Sequence, residues 1–501
     1  MKRKLGLLAM CAAVALVAGC GLHKQSAVVL VSRTASPLEG FAARELAGRL
    51  SAQLGQPVPI ATAPDGLRDF PPGAVLVSAL RSSAACRDLV AQGRLPREER
   101  PQGYAAGIAL AGARPSLLAA VVCGADDAGT LYGVRDLTHY HMSELLQALQ
   151  GRAPARPILF SDAPRIANRG LWTWAGRIYD YRGYLDHMSE WKMNLLVVWN
   201  RVVPTNAREV ITYAHHRGIR VVWGYSWAWE HQVCPSNKAQ RQEWKERVLA
   251  TYRSQYAPLH PDGIYFQVFT EAQLCRCPAC RRKTEGQLVY EWCQPIIEAL
   301  LKENPSLWVQ AGLHYLPDMG ESYSALARLD PRVAIIWEDL GAFPFTYEPT
   351  ETTGSKQANE LVTTLGRIRS GREDFGLVVK GFYNGLWGPS QSEPMGVTGA
   401  AEPRRLAQDE ELVATWARRE RAWRANLPMY LATVRTMAQS PARGKTLLAL
   451  VENGLWEARQ WLPVVLFAEG AWNPDRPAKE LISQAASCPA VVSLARARSK
   501  D

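Results

Sequence analysis

Two apolar runs in this chain end in acids. GIYFQVFTE ends in Glu271, and VAIIWEDL carries Glu338 and Asp339 near its end. A pair of carboxylates facing each other across a cleft is what cleavage of a glycosidic bond requires. One carboxyl protonates the leaving oxygen, and the other activates water or attacks the anomeric carbon. Glu271 is the expected proton donor, because apolar residues directly precede it and partial desolvation favours the neutral acid. The plain alternative for it is a helix cap or a salt-bridge carboxylate. Glu338 is the preferred second carboxylate and Asp339 the alternative, since adjacent strand residues point to opposite faces. Glu452, at the end of TLLALVEN, reads first as a structural carboxylate.

Other run ends supply aromatic, amide and cationic groups. Arg177, Asn200, Trp227, Trp229, His314, Tyr315, Trp337, Lys380, Tyr383, Asn384 and Trp387 all lie at or just beyond such ends. Sugars need this mixture, because indole faces stack on C–H faces while amides and charged groups bind hydroxyls. For each tryptophan, and for His314, a buried structural role is the competing reading. Trp191, Trp292, His215 and His216 fall within helical patterns and read as structural. The chain has no glycine-rich phosphate loop, no HExxH and no GxSxG.

Cysteines follow Glu271 closely, as Cys275, Cys277 and Cys280 in CRCPAC, and Cys234 stands in HQVCPS after an earlier run. Four thiolates would close a zinc site and leave no position for a catalytic water. One or two disulfides are the alternative in an oxidising compartment. Either way the cluster is expected to be structural, and no cofactor is required for catalysis.

The elements that must position these residues are eight apolar runs: RGLWTWAG, NLLVVWN, RVVWGYSW, GIYFQVFTE, LWVQAGLHY, VAIIWEDL, FGLVVKGFYN and TLLALVEN. Amphipathic helical stretches such as AREVITYAHHRG and LVYEWCQPIIEALLKEN separate most of them. The fold class expected is α/β: a (β/α)8 barrel over residues 169–490, with active-site residues at the strand C-termini. A doubly wound open sheet is the alternative. All 17 tryptophans lie at or after Trp172, so the first third is a different unit. Its runs AVVLVS, VPIAT, AVLVSAL, YAAGIALAG and LLAAVVCGA, with two helical segments, predict a small α/β domain over 20–150. Cys86 and Cys123 are close enough in this segment to pair. Pro154, Pro157 and Pro164 punctuate a predicted linker over 151–168.

Residues 1–19 read as a lipoprotein signal peptide. MKRK is a basic start, the following apolar stretch is too short to span a bilayer, and LVAGC places a lipidation cysteine at Cys20. The expected location is therefore the bacterial cell envelope, on the periplasmic or outer-membrane side, with the membrane contacted through the lipid. Without Lys2, Arg3 and Lys4 the formal charge of +11 falls by three, to +8. The basic residues are scattered, with no basic run or nucleic-acid-binding signature, so no nucleic-acid partner is expected. At 47% hydrophobic and 21% charged, the composition is that of a globular chain.

A small α/β domain, a barrel entered through RIANRG and a late LPVVLFAEGAWNP together resemble glycoside hydrolases of families 67 and 20. The CxCxxC after the strand-four acid also resembles the family 163 endo-β-N-acetylglucosaminidases. The resemblance covers most of the chain after residue 19. It implies a general-acid glutamate ending strand four, which corresponds to Glu271, and acids ending strand six, which correspond to Glu338 and Asp339. Thr270 stands where family 20 carries the aspartate of an Asp-Glu pair, which argues against an acetamido-assisted mechanism. KGFYN replaces the family 67 acid near strand seven, and Lys380 there suits a sugar carboxylate or pairs with a glutamate. The expectation is a lipid-anchored glycoside hydrolase, α-glucuronidase-like or N-acetylglucosaminidase-like, acting on a polysaccharide or glycoconjugate. Its rival is a glycan-binding lipoprotein on a barrel that has lost catalysis. A lyase or deacetylase lacks a metal-binding His/Asp set.

Overall fold

Parallel strands buried on both faces are written as near-continuous apolar runs, and such runs dominate this structure. The computed structural model describes residues 27–110, 118–152, 154, 156–174, 178–200, 202–228, 231–267, 275–313, 321–338, 362–371, 375–382, 394–397, 399, 401–452 and 454–495. Two compact units divide between Asp162 and Ala163.

The first unit is a six-stranded sheet. Its strands are β1 (Val28–Val31), β2 (Ile60–Thr62), β3 (Ala74–Ala79), β4 (Tyr104–Leu110), β5 (Leu118–Gly124) and β6 (Ile158–Asp162), in the order β2-β1-β3-β5-β4-β6. β4 runs antiparallel to both β5 and β6. Ser36 caps the helix Pro37–Leu54 in a reciprocal box with Glu39. The Glu39 carboxylate also accepts from Ser78 Oγ at 3.0 Å and Ala79 N–H at 2.7 Å, tying that helix to β3. A disulfide joins Cys86 of the helix Ala84–Ala91 to Cys123 of β5, with Cα atoms 5.7 Å apart. β6 lies inside the predicted linker 151–168 and hydrogen-bonds along β4 from Ile158 to Asp162. As an edge strand it alternates half-buried and exposed residues, a weaker pattern than that of the buried runs.

The second unit is a closed barrel of eight parallel strands: β7 (Asn168–Trp174), β8 (Leu195–Trp199), β9 (Arg220–Ser226), β10 (Gly263–Gln267), β11 (Trp308–Leu313), β12 (Ala334–Trp337), β13 (Phe375–Val379) and β14 (Lys445–Leu450). These are the eight predicted runs in order, with helices between them, and the expected α/β barrel is the observed fold. Two cores follow from the strand period of two. An inner cluster fills the barrel with Trp172, Leu195, Val197, Trp199, Val222, Tyr265, Ala334, Ile336, Val378, Leu448 and Leu450. The intervening residues, such as Val221, Ile264, Phe266, Ile335 and Leu377, face the helices in a larger outer cluster. No helix among the described residues is long and apolar enough to cross a membrane.

Candidate active site

On β12, Ala334 and Ile336 point into the barrel, while Ile335 and Trp337 point out to the helices. Glu338 follows with the inward parity and is 1% exposed. Its Oε1 accepts from the Tyr265 hydroxyl, and its Oε2 accepts from the Gln267 side-chain amide. Both donors lie on β10, two residues apart, where the pleat puts them on one face. Between β10 and β12 lies β11, whose Gly312 leaves the space the carboxylate fills. A Cβ there would fall on Glu338 Oε1 and the Tyr265 hydroxyl. Burial, and then the neighbouring Glu338 charge, pushes Tyr265 well above the usual phenol range, so its hydroxyl stays a donor. Gln267 gives its NH2 to the carboxylate, and its own Oε1 is a buried acceptor with no hydrogen-bond partner among the described residues.

Other groups ring this end of the barrel. Lys380, directly after β13, is buried with its Nζ 5.7 Å from the centre of the Trp172 ring, within cation–π range. Trp172 meets Tyr265 edge to face at 6.2 Å. Trp199 ends β8 within the inner cluster, and its indole takes the space beside Gly224. Glu452, two residues after β14, is 2% exposed and accepts from Thr173 Oγ1 at 3.0 Å. Asn200 is buried at the end of β8, where its N–H donates to the Gly224 carbonyl at 3.1 Å.

Two expected sugar platforms require correction. Trp227 and Trp337 are both fully buried in the outer cluster. Trp227 stacks on Phe266 at 3.7 Å, and its carbonyl accepts from the Trp292 indole of the helix Glu285–Glu303 at 2.9 Å. Trp337 packs 6.3 Å from Tyr323 of the helix Glu321–Leu326. Strand parity turns both rings towards the helices. Glu271, Asp339, Arg177, Trp229, His314, Tyr315, Tyr383, Asn384, Trp387 and Cys20 lie outside the described residues. Of the expected site residues, Glu338, Lys380 and Asn200 stand at the barrel end, joined by Trp172, Tyr265 and Gln267, which had not been singled out. Tyr265 and Gln267 share odd parity with Glu271 in the run GIYFQVFTE, and that parity was the available signal.

Glu457 had also not been singled out. It sits in the short helix Leu455–Ala458 after β14, is 5% exposed, and accepts from the Tyr179 N–H at 3.0 Å. Its Oε2 has no hydrogen-bond partner among the described residues. Burial, with Asp180 and Glu452 adding negative charge, raises its pKa to about 8, so the folded chain holds this carboxyl protonated at neutral pH. The folded state then binds a proton that the unfolded state releases, and stability falls as pH rises between the ordinary carboxylate range and about 8. That slope amounts to about 1.4 kcal/mol per pH unit. The Glu457→Gln variant is expected to lose this contribution. Urea unfolding of both proteins from about pH 5 to pH 8 checks it, and parallel pH dependences would refute it.

Cys234, Cys275, Cys277 and Cys280 come together as the sequence spacing implied. Their four sulfurs lie within 4.8 Å of one another, and none is in a disulfide. Cys234 Sγ is 3.7 Å from both Cys277 Sγ and Cys280 Sγ.

No protein-family model and no curated protein matches the chain. Among solved structures, it is similar to a β-N-acetylhexosaminidase from Bacteroides fragilis NCTC 9343, at 14% identity and a TM-score of 0.47, over 90% of this chain and 88% of that one. It is also similar to a GH20 exo-β-N-acetylglucosaminidase from Vibrio harveyi, at 10% identity and a TM-score of 0.47, over 92% and 72% of the two chains.

Proposed function

We propose that this chain is a glycoside hydrolase. Its substrate is a carbohydrate, a polysaccharide or glycoconjugate, cleaved by carboxylate acid/base catalysis with Glu271 as proton donor and Glu338 as second carboxylate. The observation that carries the reading is the inward Glu338 carboxylate at the C-terminal end of β12, held by Tyr265 and Gln267 and ringed by Lys380, Trp172 and Glu452. Catalytic groups of such barrels stand at that end. Two donors fixing one carboxylate restrict its rotamer, as an acid/base group requires. Glu338 continues the inward parity of Ala334 and Ile336, which favours it as the partner of Glu271. The run MKRKLGLLAMCAAVALVAGC supports export and lipidation at Cys20, hence a site of action in the bacterial cell envelope.

One observation favours a second reading. Both Glu338 oxygens accept from protein donors, and the residue is 1% exposed, as a structural carboxylate would be in a barrel that binds glycans without cleaving them. Screening the purified chain against aryl glycosides and a glycan panel separates the two. Turnover of at least one glycoside is the expected result, and glycan binding without release of a reducing end would establish the binding reading instead.

A further inference from the structure

Cys234 lies in the loop after β9, and Cys275, Cys277 and Cys280 lie in the loop after β10. Neighbouring strands therefore send out the two loops whose sulfurs meet. The two recorded separations of 3.7 Å are far beyond a disulfide bond of about 2.0 Å. They match the edge of a tetrahedron of thiolates around zinc, which a Zn–S distance of about 2.3 Å makes about 3.8 Å. Disulfides would sort four cysteines into pairs, whereas here Cys234 is equally far from two partners.

The backbone is shaped to the same end. Cys280 N–H points at Cys277 Sγ at 3.4 Å, and Arg281 N–H closes a turn on the Cys277 carbonyl at 3.0 Å. Across the cluster, Asn237 N–H closes a second turn on the Cys234 carbonyl at 2.9 Å. A tetrathiolate zinc carries two net negative charges. Arg276, Arg281 and Arg282 supply positive charge from the same loop, while Lys283 pairs with Glu291 at 2.7 Å. Ser236 Oγ lies 3.2 Å from Cys280 Sγ and 3.3 Å from Lys283 Nζ, a hydroxyl placed to donate to a thiolate once the thiol proton has left.

We propose that Cys234, Cys275, Cys277 and Cys280 bind one zinc ion in a closed structural site that clamps the loop after β9 to the loop after β10. Binding displaces the thiol protons and leaves no open position for water, so the ion takes no part in bond cleavage. Its effect is positional. Residues 268–274, which include Glu271, run between the end of β10 and Cys275, and the clamp fixes where that segment ends. The site stands on the sulfur geometry alone and holds whether or not the glycosidase reading does.

The test is metal analysis of the full chain, purified without chelator, with thiol titration under denaturing conditions. About one zinc per chain is expected, displaced as a mercurial binds four thiolates, and the denatured chain should titrate the thiols of Cys293 and Cys488 in addition to the four of the cluster. Cys234→Ser should lose the metal, while Cys488→Ser should keep it. If Cys234→Ser does not fold, cobalt(II) loaded into the native chain is expected to give the intense thiolate charge-transfer absorption of a tetrahedral sulfur site. Peptides linked Cys234–Cys277 or Cys234–Cys280 in a non-reducing map, with no bound metal, would overturn the proposal. So would iron in place of zinc.

Discussion

Glu338→Gln is expected to lower turnover on any glycoside the chain cleaves by about 10²–10⁴-fold in protein that still folds. The two halves of that expectation have separate physical grounds. The amide has the shape of the carboxylate, so it fits the space that Gly312 leaves. Its carbonyl can accept from the Gln267 NH2, and its own NH2 can donate to the Tyr265 hydroxyl, which rotates to accept. The Tyr265 hydroxyl proton then loses the carboxylate that accepted it, so thermal unfolding is followed beside turnover to separate a loss of rate from a loss of fold. What vanishes is the negative charge and the ability to exchange a proton or attack a carbon. Glu271→Gln should produce a loss of the same order, because the two carboxylates act on one bond. Steady-state kinetics on the best substrate from the glycan panel, beside thermal unfolding, measure both halves. Near-normal turnover by Glu338→Gln would assign Glu338 a structural role and move the second carboxylate elsewhere on the barrel end.

The barrel was legible because parallel strands buried on both faces leave a simple trace, a run of apolar residues ended by a polar one. All eight such runs became strands. β6 was not legible, since it lies on an edge, shows its side chains half to solvent, and sits between prolines that read as a linker. The site was half legible for a different reason. A run end marks the level of a residue along the barrel but not the side on which its side chain emerges. Glu338 and Trp337 are neighbours at one level, and a single step of parity sends the first inward and the second into the helix layer. Counting in twos from Glu271 would have found Gln267 and Tyr265, which lie within its own run. The cysteine cluster was legible because three cysteines within six residues fix their own turn. Glu457 left no trace in the sequence, since its burial depends on a short helix packing back beside Tyr179 and Asp180.

Glu469→Gln is expected to destabilise the barrel unit by about 3–5 kcal/mol while leaving the turnover of folded protein unchanged. Lys192 and Glu469 pair at 3.0 Å, each 1% exposed, at the N-terminal end of the barrel, the end opposite Glu338. Lys192 holds a left-handed φ of 58° just before β8, and its Nζ lies 4.6 Å from the centre of the Trp472 ring. Glu469 belongs to the wholly buried helix Leu462–Trp472 and also accepts from Arg476 at 2.9 Å. Neutralising Glu469 removes the carboxylate that lies 3.0 Å from the buried Lys192 cation, and losing one charge of such a buried pair is costly. Lys192→Met should cost less, because Arg476 still faces the remaining carboxylate. Lys192→Met combined with Glu469→Leu should recover much of the loss, since apolar side chains of similar volume often replace a buried ion pair with little penalty. Urea unfolding followed by tryptophan fluorescence compares the four proteins. A loss below about 1 kcal/mol for Glu469→Gln would put this pair with exposed ones in strength and refute the argument. The contrast with Glu338 is the point of the experiment. Two glutamates are equally buried in one barrel, and removing the charge of one should lower the rate, while removing that of the other should lower only the stability.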